Sequence, residues 1–280
     1  MIEPVSLSQG HYECRSLDAT LPVLTGLLAM EVLERNTDCA MLKHPNTEWR
    51  LVVHEGGPDA ATKPLANHYG FRVETTGEIE AAHEFISAHK GEYAIELVAR
   101  PYDIHLAHCM YFREPGGNYL EIEFYDPAAA LENTTAAPHW GTPLPESSFP
   151  GRGYVPQGLT HGTLEIDDPN VSNRFYTDVL GLHLAGGTGP ATYIKHPDDL
   201  HYVVALPGRK RHYLSQASRF TLAMSSAGAV HAAHEELATA NVGVTELCAV
   251  EERAGVVSFM LADPDRNWWE VTSASGATLT

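Results

Sequence analysis

The chain has 280 residues, 44% of them hydrophobic and 9% aromatic, which is enough for two ordinary globular domains with full cores and too apolar for disorder. It carries 36 acidic against 18 basic residues, a formal net charge of −18, and has no Lys/Arg run, so nucleic-acid binding would lack its electrostatic footprint. No window approaches the roughly 18 consecutive apolar residues of a membrane span. The first residues, MIEPVSLSQG, show neither the basic nor the apolar region of a signal peptide, which makes a cytoplasmic location the expectation. Cys14, Cys39, Cys109 and Cys248 are scattered without CxxC spacing and are expected to be reduced, mostly buried thiols.

Taken in chain order, QGHYECRSLDATLPVLTGLLAMEVL predicts a strand, a Ser/Asp cap and a helix apolar at Leu21, Leu24 and Leu28. A second strand and helix follow in ANHYGFRVETTGEIEAAHEFISAHKG. MYFREPGGNYLEIEFYD then reads as a strand, a tight turn and another strand, with Tyr119, Glu121, Glu123 and Tyr125 on one face and Leu120, Ile122 and Phe124 on the other. Two carboxylates in line on one face either meet solvent or face an interior that needs acidic groups. Residues 127–154 are rich in Pro, Ala, Gly, Ser and Thr without a period and read as a linker. The division expected is one barrel over 1–130, a linker over 131–154 and a second barrel over 155–280. Beyond it, LTHGTLEIDDPNVSNRFYTDVLGLHLAGG predicts a strand entering a helix through Asp-Asp-Pro, with Val171, Phe175 and Val179 at helical spacing and Gly181 stopping it. ASRFTLAMSSAGAVHAAHEELATANVG gives a fourth strand and helix.

Laying His11 on His161 also lays Asp18 on Asp168, and REPGGNYLEIEF matches ADPDRNWWEVTS so that Glu121 corresponds to Glu270. Four βαβββ units in two pairs describe the chain economically. One unit has too few strands to bury both faces of its sheet, whereas two side by side curve into a cup with helices outside and side chains inside.

This pattern resembles the vicinal oxygen chelate superfamily, which includes glyoxalase I, bleomycin- and fosfomycin-resistance proteins and type I extradiol ring-cleaving dioxygenases. The resemblance covers nearly the whole chain outside the linker, and implies an α+β fold of four βαβββ modules paired into two cup-shaped barrels. In these cups, metal ligands come from the first strand of one unit and the first and last strands of its partner. In the N-terminal half those places hold His11, His68 and Glu121. Two imidazoles and one carboxylate leave one side of a metal open, the facial arrangement suited to non-haem Fe(II), with Mn(II) as the alternative. The second half holds His161, Arg219 and Glu270, and an arginine stays cationic, so that cup is expected to be metal-free. If the units pair across the halves instead, units two and three give His161, His68 and Glu121, while one and four give His11, Arg219 and Glu270.

Extradiol dioxygenases resemble this chain most closely in the segment MYFREPGGNYLE, where Tyr111 stands ten residues before Glu121. That resemblance implies a hydrogen bond from Tyr111 to the substrate oxygen, a second donor at His105, and an acid-base role for His54, fourteen residues before His68. The function expected is Fe(II)-dependent cleavage of a catechol or hydroquinone-like aromatic with O2, by a homo-oligomer that binds neither nucleic acid nor membrane. Two other readings stay open. A glyoxalase-type isomerase or lyase usually has a fourth protein ligand on the first unit's last strand, where His54 and Glu55 stand. A metal-free binding or resistance protein could use the half that carries Trp268, Trp269 and Arg219.

Overall fold

The computed structural model describes residues 2–104, 106–126, 140–186, 190–208, 212–240 and 242–273. Four modules follow one another. The first is β1 (Ser6–Cys14), α1 (Leu17–Leu28), β2 (Glu31–Arg35), β3 (Cys39–Lys43) and β4 (Arg50–Glu55). The second is β5 (His68–Arg72), α2 (Thr76–Ala88), β6 (Leu97–Val98), β7 (Tyr102–Ile104), β8 (Ala107–Arg113) and β9 (Tyr119–Tyr125). The third is β10 (Gly158–Ile166), α3 (Pro169–Arg174), β11 (His183–Leu184), β12 (Thr192–Lys195) and β13 (Tyr202–Pro207). The fourth is β14 (Arg219–Ala223), α4 (Ala227–Thr239), β15 (Glu246–Leu247), β16 (Glu251–Arg253), β17 (Val256–Ala262) and β18 (Trp268–Thr272).

Local sequence explains the helices. Thr75 accepts from the Glu78 amide at 3.2 Å, and Glu78 reaches back to the Glu74 amide at 3.0 Å, which satisfies donors that the first turn of α2 leaves open. Ser226 and Asp168 cap α4 and α3 in the same way. Leu21, Leu24 and Leu28 of α1 are buried, as their spacing predicts. In the third module Phe175 and Val179 are buried but Val171 is half exposed, because the helix widens into a π turn over Phe175–Val179 and rotates its apolar stripe. Gly181, at φ +67°, ends it.

The modules pair across the halves of the chain. One sheet runs β15-β17-β18-β14-β1-β4-β3-β2, and the other β11-β12-β13-β10-β5-β9-β8-β6. The first module therefore joins the fourth through β1–β14, and the second joins the third through β5–β10. The barrels expected over 1–130 and 155–280 do not form as such; each cup takes one module from either side of the linker. The physical reason is that the modules share one pattern, so either pairing satisfies their strands, and contacts between modules decide. Gly10 and Gly162 are such contacts: a Cβ on either would crowd the Tyr69 ring at 2.5 and 2.8 Å, and Tyr69 donates to His11 O at 3.1 Å. Trp49 packs 5.7 Å from Tyr69 and 6.2 Å from Phe220, so aromatic rings fill the seam between the sheets. Of the expected linker, 127–139 lie outside the described residues. Its last part packs on α1, with Tyr154 buried and donating to Leu27 O at 3.0 Å. Among the described residues no helix is long and apolar enough to cross a membrane.

Candidate metal centre

The alternation of β9 turns Glu121 and Glu123 inward, where they are 4% and 2% exposed. The acidic face of LEIEF thus meets an interior. In the parallel β5–β9 ladder Glu121 stands beside Gly70, and in the antiparallel β10–β5 ladder so does His161. A Cβ on Gly70 would overlap the His161 ring, so this glycine makes room for the imidazole. His68, at the start of β5, completes the group. Its Nε2 lies 3.0 Å from Glu121 Oε2, His161 Nε2 lies 3.1 Å from the same oxygen, and the two nitrogens are 3.4 Å apart. His68, Glu121 and His161 thus present donor atoms within 4.8 Å of one another, all on buried side chains.

A second layer orients the imidazoles. His68 Nδ1 donates to Leu65 O at 2.6 Å, which leaves Nε2 as the inward nitrogen. His161 Nδ1 lies 3.4 Å from Glu123 Oε1, and Glu123 is held by the Arg72 guanidinium at 2.8 Å and by Thr160 Oγ1 at 3.1 Å. Arg72 also donates to the Tyr202 hydroxyl at 3.1 Å. Burial works against charge on Glu121, yet its hydrogen bonds to His161 and His68 hold the carboxyl well below its usual range. Burial likewise works against His161, but the charges of Glu123 and Glu121 raise it to about 9. The pocket therefore stabilises positive charge at its centre, and two Nε2 atoms with one carboxylate oxygen suit a divalent ion there.

Beside this group lies a cavity of about 320 Å³, walled by Tyr102, Tyr111, Tyr125, Tyr193 and Tyr202. Tyr111 stands opposite Glu121 in the β8–β9 register, with its ring edge-on to His68 at 5.1 Å. Burial, and next the Glu121 charge, push its phenol far up, so it keeps its proton. From β13 the cavity receives Tyr202, Val204 and Leu206, and Tyr202 stacks on His161 at 5.4 Å. Among the described residues β13 supplies no carboxylate, amide or imidazole to this cavity.

His11 and His54, expected beside His68, belong to the other cup. His11 Nδ1 and His54 Nε2 are 3.0 Å apart, His11 Nε2 lies 2.9 Å from Thr221 Oγ1, and Arg219 Nε donates to Glu270 at 2.8 Å. The structure does not bring His11 to His68 and Glu121; His161 stands there, because β10 and not β1 pairs with β5. His54 pairs with Cys39 and Glu13 in that other sheet, so its spacing before His68 does not place it over the three-residue group. His105 lies outside the described residues. Arg72, Tyr102, Tyr193 and Tyr202 went unread in the sequence, and Glu123, placed on the same face of β9 as Glu121, was given no role there, although that shared face was the available signal.

The model of the glyoxalase/bleomycin resistance protein/dioxygenase superfamily matches residues 12–122 and 158–271. Among solved structures, a candidate dioxygenase from Bacillus subtilis subsp. subtilis strain 168 is similar with a TM-score of 0.63 and 11% identity, covering 97% of this chain and 86% of that one. Glyoxalase I from Zea mays is similar with a TM-score of 0.65 and 15% identity, covering 94% and 90%. At these identities the likeness carries the fold alone. No curated protein sequence matches the chain. The repeated modules, the paired cups and the family match agree: this chain belongs to the glyoxalase/bleomycin resistance protein/dioxygenase superfamily, the vicinal oxygen chelate proteins.

Proposed function

We propose that the chain is an Fe(II)-dependent dioxygenase of the extradiol type, which opens the ring of a catechol or hydroquinone-like aromatic with O2 and holds its metal through His68, Glu121 and His161. The observation that carries this reading is the three-residue donor set with no fourth protein ligand from β13, where a glyoxalase-type isomerase would place a carboxylate or amide. Bound Fe(II) would supply the spin-permitted route to O2 and the charge that acidifies a ligated phenol. Mn(II) satisfies the same donors.

The chain's own residues would bind and orient. The tyrosine wall offers flat apolar faces to an aromatic ring and keeps bulk water from it. Tyr111, protonated and beside the donor set, would give its hydroxyl proton as a hydrogen bond to a substrate oxygen. Glu123 and Arg72 fix the His161 ring from behind.

An oxygen-electrode screen of anaerobically Fe(II)-loaded protein against catechols and hydroquinones tests the reading. Oxygen uptake with at least one of them, abolished in Glu121→Ala, is expected. Metal-dependent turnover of a carbonyl substrate without oxygen uptake would instead support the isomerase.

A further inference from the structure

We propose that the cup formed by the first and fourth modules is a second, metal-free site that binds a small aromatic monocarboxylate through Arg219. This inference does not depend on the reaction assigned to the other cup.

The two cups superpose by strand register. Gln9 on β1 takes the place of His161 on β10 and His11 that of Thr163, Glu270 on β18 takes that of Glu121, and Arg219 opens β14 where His68 opens β5. A fixed guanidinium therefore stands where the other cup presents a metal ligand. The surrounding hydrogen bonds hold it in place. Arg219 Nε donates to Glu270 Oε2 at 2.8 Å and Nη1 to Gln216 O at 3.1 Å, while Nη2 has no partner among the described residues. The second Nη1 proton and the Nη2 protons form a free edge of parallel donors, which matches the two oxygens of a carboxylate.

A cavity lined by Arg219 measures about 370 Å³, room for a single-ring acid, and its walls also include His54, Glu251, Arg253, Glu270 and Met260. A guanidinium beside the Met260 side chain in one mostly polar cavity favours a small amphipathic ligand. Glu270 pairs with Arg219 at 2.8 Å and Glu251 with the lining Arg253 at 2.7 Å, so each cation is already partly offset and a monocarboxylate fits better than a doubly charged phosphate ester. The histidines add no charge of their own. Thr221 Oγ1 donates to Glu270 at 3.1 Å, so it accepts from His11 Nε2, and His11 Nδ1 then accepts from His54 Nε2. Burial first, and then the charges of Arg219 and Lys63, hold His54 down at about 3, so it stays neutral.

The test is calorimetric titration of the full chain, stripped of metal by a chelator, with benzoate and with its neutral isostere benzamide. One benzoate should bind per chain, with benzamide weaker by about tenfold or more, the scale of hydrogen bonds to a charged partner. Arg219→Met should weaken benzoate by about the same factor, Arg219→Lys by less, and His68→Ala should leave the affinity unchanged. Equal binding of benzoate and benzamide, which needs no variant, would overturn the proposal. So would no benzoate binding, wild-type affinity in a folded Arg219→Met protein, or loss of binding in His68→Ala.

Discussion

His161 and Gly70 face each other across the β10–β5 ladder, and the missing side chain of the glycine is the space that the imidazole fills. Gly70→Ala adds one methyl group at the point where the third ligand of the proposed metal set enters. The neighbouring atom belongs to a ring fixed by Thr160 and Glu123, so the ring must move. Metal affinity should fall about 10- to 100-fold, the scale seen when ligand orientation is lost, with about 1–3 kcal/mol of overpacking. Metal titration beside thermal unfolding checks both; unchanged metal affinity would remove His161 from the set.

Metal content of single variants tests the ligand set directly. His68→Ala, Glu121→Ala and His161→Ala should each lose bound Fe(II) after anaerobic loading, because each removes one of the converging donors. His11→Ala should keep full occupancy, since His11 is bonded to His54 and Thr221 in the other cup. Iron lost from His11→Ala but kept in His161→Ala would reverse the assignment.

Tyr111→Phe removes one hydroxyl and keeps the ring that packs on His68. Folding and iron content should be unchanged, while turnover per iron drops about 10- to 10³-fold, the range for losing one donor to a developing oxyanion. Equal oxygen-uptake rates per iron would reduce Tyr111 to a packing residue.

His44 gives a pH signature independent of the metal. It is buried and neutral, donating from Nε2 to Pro156 O at 3.0 Å and accepting at Nδ1 from the Asn46 amide at 3.1 Å. Burial lowers it from 6.5 to about 4, so between those values the unfolded chain binds more protons than the folded one. Its contribution is complete above pH 6.5 and declines as pH falls towards 4, by on the order of 3 kcal/mol. His44→Gln should flatten that part of the urea-unfolding profile; an identical slope would show that other groups carry it.

Lys63 should act in the alkaline range. Its Nζ is buried with no hydrogen-bond partner among the described residues, 5.2 Å over the Tyr12 ring, and burial lowers it to about 7 against the opposing pull of Glu13 and Glu114. From pH 7 to about 10 the unfolded chain binds the extra proton, so folding stability should rise with pH by on the order of several kcal/mol. Lys63→Met should abolish that rise and stabilise the protein at pH 7. A variant less stable than wild type at pH 7 would contradict it.

The repeating pattern of strand, capped helix and strands was legible from the chain because periodicity and capping are local. Thr75 with Glu78, Asp168 with Pro169 and Gly181 occupy the places that such signals predict. That His68 and Glu121 stand together was legible too, since both belong to one module and any partner leaves them at the same strand positions. Which histidine joins them was not. His11 and His161 align in the sequence, yet the strand registers and helix caps match Gln9 to His161 and Ser16 to Asp168, a shift visible only once the strands pair. The choice rests on non-local packing: Gly70 admits the His161 ring, and Tyr69 wedges against Gly10 and Gly162 in the seam between the sheets. The same tertiary choice carried His54 away from the His68 centre and placed Glu123, Arg72 and Tyr202 behind His161, because strand neighbours from distant modules become fixed only when the sheets form.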